Sequence, residues 1–380
     1  MVDAFIQAGS ACGYCENPDY NGARQDGFGY YQVTQRDGRR ESAADAYLHP
    51  VKSRPNLDIQ LEAHVERIVL ENHVARGVVY RQTGATRTAQ ASRAVIVSAG
   101  AVQSPQILEL SGIAAPQVLQ PHGIPVLHAL VGVGENYRDH YAARLNWRVN
   151  QPITLNQQTR GLRIVRETLR YALFRRGILT LTAGIGHGFV RSRPELQTPD
   201  CQFFFAHASF GDANPRALDT EPDMTIGVYQ CRPESRGSIH VASSDPFDKP
   251  RIKANFLSDP LDQSTLVAGM RIARQVGETA PLSDYVEHDM NPGSDKRHSD
   301  ELLDYTRNTC ATTYHVMGTC KMGPEHDPMA VVDNSLKVRG LEQLYVIDAS
   351  VMPTMPSGNI NAPVIMIAEK AADLLLKSAS

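Results

Sequence analysis

Apolar and polar positions alternate from Leu57 to Gln90, through LDIQLEAHVERIVLE, ARGVVYR and TRTAQA, and Asn72 and Gly84 interrupt the alternation where turns belong. This period of two predicts a β-meander. It is followed by AVIVSAG (94–100), a continuous apolar run of the kind a strand buried on both faces shows. Ser104-Pro105 then stands at a plausible helix start, ahead of the helix-periodic QILELSG. A second buried strand is predicted at Leu344 to Ile347, leading into Asp348-Ala349-Ser350, and the chain closes on a helix from Pro363 to Leu376. Strand, small-residue turn and helix together are a nucleotide-site architecture. Between about 141 and 309 lie an arginine-studded helix, Arg160 to Arg176, and the strand-like CQFFFAHA, MTIGVYQC and GSIHVAS, which predict an antiparallel sheet. Residues 12–40 read as loop, and ESAADAYL as a short helix ending before Pro50.

The fold class that follows is α/β with α+β character: a discontinuous Rossmann-like nucleotide domain interrupted by a substrate domain whose antiparallel sheet is flanked by helices. The divisions are 1–140 for the first part with its meander, 141–309 for the substrate-binding domain, and 310–380 for the return. At about 150 residues per domain, 380 residues suffice for two to three domains and a sizeable core.

Charge removes several function classes. Thirty-eight Lys and Arg against 41 Asp and Glu leave a net charge of −3, so no basic field exists to attract nucleic acid. The six cysteines fit no disulfide-rich secreted pattern, no charge-free window of membrane-spanning length is present, and Asp3 stands where a signal peptide carries positive charge. The expected location is the cytoplasm. Arg160, Arg163, Arg166 and Arg170 recur at helical spacing opposite Leu162, Val165, Leu169 and Leu173; a solvated face is the commoner reading, and peripheral contact with the inner face of a membrane the alternative.

No G-x-G-x-x-G follows a strand; Gly132-Val133-Gly134-Glu135-Asn136-Tyr137 comes nearest and reads as a loop. Cys12-Gly13-Tyr14-Cys15 lacks a second pair to complete a zinc site, and Cys310 and Cys320 flank His315 at no usual metal spacing, so no metal is expected. Signatures of serine hydrolases, zinc proteases and P-loop enzymes are absent. What remains is at the C-terminus: Tyr314-His315-Val316-Met317-Gly318-Thr319-Cys320-Lys321-Met322-Gly323, then Asp348-Ala349-Ser350, then Ser357-Gly358-Asn359-Ile360-Asn361-Ala362-Pro363. These, with residues 100–113 and Gly132 to His140, resemble the glucose-methanol-choline oxidoreductase family, most nearly its choline dehydrogenase-like and alcohol dehydrogenase (acceptor) branch. The resemblance runs from about Phe5 to Leu375, with Ala114 where the family carries glycine.

The resemblance implies an FAD-dependent enzyme acting on CH–OH donors, oxidising a choline-like or general primary alcohol to the aldehyde, with an acceptor that is a quinone, another carrier or oxygen. It implies His315 as the catalytic base, with hydride passing to the flavin, and Asn359 as its partner. Val65 would meet the adenine, Ala99 and Gly100 the ADP moiety, Asp348 and Ala349 the pyrophosphate and ribityl chain, and Asn361 and Pro363 the isoalloxazine. His140, His187 and His207 have weaker claims. The single tryptophan, Trp147, and Ile185 at the place of a choline-recognising carboxylate favour a general primary alcohol over choline. Family members begin with a glycine-rich FAD-binding turn that this sequence does not contain, so the FAD domain is expected to be incomplete. The alternatives are a truncated, non-catalytic fragment of such an enzyme and, behind it, a hydroxynitrile lyase.

Overall fold

The computed structural model describes residues 1–182, 184–211 and 214–377, and the chain forms two compact units. The first gathers Met1–Ile59, Tyr141–Cys231 and Pro260–Ala311; the second gathers Gln60–His140, Arg232–Asp259 and Thr312–Ser380. Segments 1–59 and 232–259 thus pack with stretches far from them along the chain.

In the first unit the strands run in the order Gly27–Tyr30, Gly186–Val190, Cys201–Ala206, Asp223–Gln230, Tyr141–Val149 and Val286–Asn291, every neighbour antiparallel. Five of these strands come from the 141–309 region, as expected, but Gly27–Tyr30 comes from the stretch read as loop, and the predicted strand GSIHVAS lies instead in the second unit, where Ser238–His240 pairs with Arg251–Lys253. Every residue of Gly186–Val190 and Asp223–Gln230 is buried, because Pro260–Gly277 and Val2–Ala11 are among the helices that pack on this sheet. Phe5 of the N-terminal helix is fully buried and stacks on Phe205 at 4.7 Å. Trp147 is 1 % exposed, and a Cβ at Gly277 would stand 2.6 Å from its ring, so the glycine is what lets helix and indole meet.

The arginine-studded helix spans Gly161–Phe174 and departs from expectation. Its leucines do not face a core: Leu162 is 88 % and Leu173 71 % exposed, and the arginine row lies beside the apolar stripe instead of opposite it. The buried residue is Glu167, whose carboxylate turns inward to accept from the Ile178 N–H at 3.3 Å and to pair with Arg166 and Arg170. ESAADAYL forms only a π-helical turn, Ala44–Leu48, with no residue buried.

The second unit carries the meander Ala63–Glu71, Val74–Gln82 and Ala85–Gln90, turning at Asn72 and His73 and again at Thr83 and Gly84, all four with positive φ. Beside it Val95–Val97 pairs parallel with Leu344–Val346. Val95 and Val97 are buried but Ile96 is 48 % exposed, so this strand is covered on one face, not two. The following helix is Gly100–Leu110 and starts four residues before Ser104, which places Pro105 inside it. Proline has no N–H for the carbonyl four residues back, that of Ala101. The Thr319 hydroxyl donates to that carbonyl at 2.7 Å, so the bond the helix cannot make is supplied from another segment. Thr319→Val is expected to cost about 1–3 kcal/mol in a denaturant titration, the range for a buried carbonyl left bare. The last helix, Asn361–Lys377, begins two residues earlier than expected.

No helix among the described residues is long and apolar enough to cross a membrane, and none of their His, Cys, Asp and Glu side chains form a group of three that could hold a metal ion.

Candidate active site

Residues 137–140, part of the stretch read as a loop, form a clamped segment. Tyr137 pairs with Gly237 on one side and Arg138 with Met317 on the other. At its end the Asp139 carboxylate accepts from the His315 N–H at 2.8 Å and from the Thr312 hydroxyl, and Tyr314 takes positive φ between them. Burial pushes the Asp139 carboxyl up, while these bonds oppose the shift. Asp139 therefore sets the path of the backbone that presents His315.

The His315 ring lies among three polar neighbours. Its Nδ1 is 2.8 Å from His140 Nδ1 and 3.0 Å from the Thr313 hydroxyl, and its Nε2 is 3.3 Å from the Asn359 amide nitrogen. Burial lowers its pKa to about 4, so the imidazole is neutral at pH 7. A neutral imidazole with one nitrogen engaged behind it can receive a proton at the other. Asn359 is exposed and adjoins the first turn of Asn361–Lys377, where Asn361 and Pro363 sit.

Asp348 is a second centre. Its carboxylate accepts from the Gly100 N–H at 2.9 Å, the Ser104 hydroxyl at 2.5 Å and the Ser350 N–H at 2.8 Å, tying the turn before one helix to the strand end at 348. Ala349 accepts from the Gly318 N–H, and Ser350 from the Cys320 N–H, so 318–320 runs alongside 349–350. The second unit thus holds His315, Asn359, Gly100, Asp348 and Ala349 on one hydrogen-bonded frame. Gly100 has φ of +83° with open space where a Cβ would be, Ala99 beside it is exposed, and the first turn of Asn361–Lys377 is exposed and free of acidic residues. At Gly100 the N–H is already taken by Asp348, so the turn offers open space for close approach of a group to the backbone; the start of Asn361–Lys377 offers a helix N-terminus that favours negative charge, as a reduced flavin ring carries.

Val65 is half-buried at a bulge in Ala63–Glu71 and bonds to none of these groups. His187 and His207 lie in the other unit, each lowered to about 4 by burial; the first is fully buried against Tyr20. Cys12 and Cys15 are free thiols. From sequence His140 has only a weak claim, because its contact with His315 spans 175 residues and leaves no local pattern. Sequence reasoning passed over the cluster of buried Glu109 with half-buried His240 and Glu135: His240 Nδ1 is 2.7 Å from Glu109 and its Nε2 3.1 Å from Glu135. Desolvation opposes the charge on His240, but the two carboxylates outweigh it and raise the imidazole to about 9. A helical periodicity that alternates Glu with Leu gave no sign of this cluster.

Comparison with known proteins agrees with the geometry. The N-terminal profile of the GMC oxidoreductases matches residues 1–142, and their C-terminal profile matches residues 233–368. An alcohol dehydrogenase (acceptor) of Pseudomonas putida is 40 % identical over 99 % of the chain and 68 % of its own length. An oxygen-dependent choline dehydrogenase of Photobacterium profundum is 38 % identical over 99 % of the chain and 66 % of its own length. Among solved structures, pyridoxine 4-oxidase from Mesorbium loti superposes with a TM-score of 0.85 at 27 % identity, covering 98 % of this chain and 69 % of that one. Formate oxidase of Aspergillus oryzae, studied for its FAD modification, superposes at 0.89 and 26 %, with the same coverage. The chain spans about two thirds of the length of these relatives. With two family profiles in order and identity near 40 % along nearly all of its length, the chain belongs to the GMC oxidoreductase family.

Proposed function

We propose that the protein is an FAD-dependent oxidoreductase that oxidises a primary alcohol to the aldehyde, with His315 as the base. The observation that carries this reading is the juxtaposition of a neutral His315 Nε2 with the Asn359 amide, next to an exposed helix start. Gly100 and Ala99, with Asp348 fixing the Gly100 N–H, would hold the ADP side of FAD, Ala349 would lie near its ribityl chain, and Asn361 and Pro363 would lie near the flavin ring. Bound FAD supplies the acceptor for the hydride that leaves the carbinol carbon.

The alcohol hydroxyl sits against His315 Nε2 and the Asn359 amide. Nε2 takes the hydroxyl proton as the C–H bond breaks, and the amide donates to the oxygen while charge is on it. Asn359 orients and does not titrate. His315, once charged, keeps its Nδ1 proton toward His140 and Thr313.

The substrate is a general primary alcohol in this reading. A quaternary ammonium is recognised by aromatic faces, and the one tryptophan is buried in the sheet with its ring against Gly277. The test is the absorbance of the purified protein with FAD, followed by anaerobic addition of a simple primary alcohol. Bleaching of the flavin band is the expected result; a protein that ignores FAD, or whose flavin stays oxidised with every alcohol tried, overturns the reading. A His315 value near 4 further predicts kcat/KM that is level from about pH 5 to 8 and falls only as pH drops through about 4, where Nε2 becomes occupied.

A further inference from the structure

We propose that His140 is a positioning residue that fixes the tautomer of His315, holding the ring proton on Nδ1 so that the Nε2 lone pair faces the substrate side.

Three contacts determine where that proton sits. The Asn359 nitrogen can only donate, so His315 Nε2, 3.3 Å away, accepts. The Thr313 hydroxyl is 3.2 Å from the His140 carbonyl oxygen, which can only accept. With its proton on that carbonyl, the hydroxyl oxygen is free to accept from His315 Nδ1 at 3.0 Å. The Asn359 contact puts the proton on Nδ1, and the Thr313 contact is compatible with it there. The 2.8 Å approach of the two Nδ1 atoms then has one polarity: His315 donates and His140 accepts. The rings stand at 85° to each other with centroids 5.1 Å apart, which suits an edge-on bond of this kind.

Burial separates the two roles. His140 has no exposed surface and sits on the segment clamped by Gly237 and Met317, whereas His315 is partly open beside the exposed Asn359. The buried ring is the fixed partner and the open one the reacting partner. Without an acceptor at His140, Nδ1 would lose its 2.8 Å partner, the ring could turn over, and the proton could move to Nε2, where it blocks the lone pair.

The test reads the tautomer directly, and only its kinetic arm rests on His315 being the base. In protein labelled with 15N-histidine, the His315 signals are assigned by their loss in His315→Gln. The expected wild-type pattern is a protonated, pyrrole-like Nδ1 and a bare, pyridine-like Nε2. His140→Leu should convert a large share to the opposite tautomer, while His140→Asn, whose side-chain oxygen can stand near Nδ1, should restore the first pattern. A wild-type His315 protonated on Nε2 overturns the proposal, as does a His140→Leu protein with an unchanged tautomer. In the FAD-loaded enzyme, His140→Leu should lower kcat about 10- to 100-fold, the range seen for outer-shell partners of functional histidines, with KM little changed and His140→Asn recovering most of the loss. A tautomer that shifts as expected without any fall in kcat upholds the His140 assignment and counts against His315 as the base. If His140→Leu does not fold, the wild-type and His140→Asn spectra still decide, because loss of the Nδ1–H pattern in either one contradicts the proposal.

Discussion

His315→Ala in the FAD-loaded enzyme is expected to lower kcat/KM for a primary alcohol by about 10² to 10⁴, the usual contribution of a positioned general base. Alanine removes the imidazole that meets the Asn359 amide and is to take the hydroxyl proton; His140 behind it has no exposed surface. Asn359 cannot replace it, since a carboxamide has no accessible proton-accepting state. Tyr314, the chain neighbour, is 85 % exposed, and its N–H donates to the Thr312 hydroxyl at 2.8 Å. The flavin absorbance of the variant should match that of the parent, which separates loss of the base from loss of the cofactor. A fall of less than threefold would remove His315 from the mechanism.

Glu109→Gln is expected to destabilise the second unit by about 3 kcal/mol, measured by urea unfolding at pH 7. Glu109 has no exposed surface, and its two oxygens accept from His240 Nδ1 and from the Val241 N–H, both at 2.7 Å. Glutamine keeps the shape but removes the charge that holds the imidazolium, leaving His240 to Glu135 alone, whose side chain is 39 % exposed. The pH dependence has a definite sign. His240 is raised to about 9 in the fold, above the ordinary imidazole value of about 6.5. The stability from this pair is therefore complete below about 6.5 and lost as pH rises through about 9. The parent should lose stability over that window and Glu109→Gln should lose less, since Glu135 still faces the imidazole; identical profiles would show that the Glu109–His240 pair is not ionised.

Where local pattern carries the information, the chain is readable in advance. The meander and its turns at Asn72 and Gly84, the parallel strands at 95–97 and 344–346, and the antiparallel strands of the 141–309 region all rest on periodicity and turn residues within about ten positions. Long-range partners are what periodicity does not encode. Pro105 looked like a helix start because the hydroxyl that rescues an interior proline lies at Thr319. The stripe of Leu162, Val165, Leu169 and Leu173 does not say which side of Gly161–Phe174 meets the protein; the helix turns Glu167 inward and leaves these apolar side chains exposed. His315 and Asn359 are proposed from their surrounding motif, whereas the His140–His315 contact joins two segments no local rule connects.

The bond from Thr319 to the Ala101 carbonyl makes residues 105 and 319 a single unit of inheritance. With alanine at 105, the backbone N–H returns and the helix closes its own ladder at Ala101. The threonine hydroxyl then becomes redundant. In a double-mutant cycle, Thr319→Val should be nearly neutral in the Pro105→Ala background, although it is costly in the parent. Over evolutionary time, the proline can be lost freely once the threonine is present, but the threonine cannot be lost first.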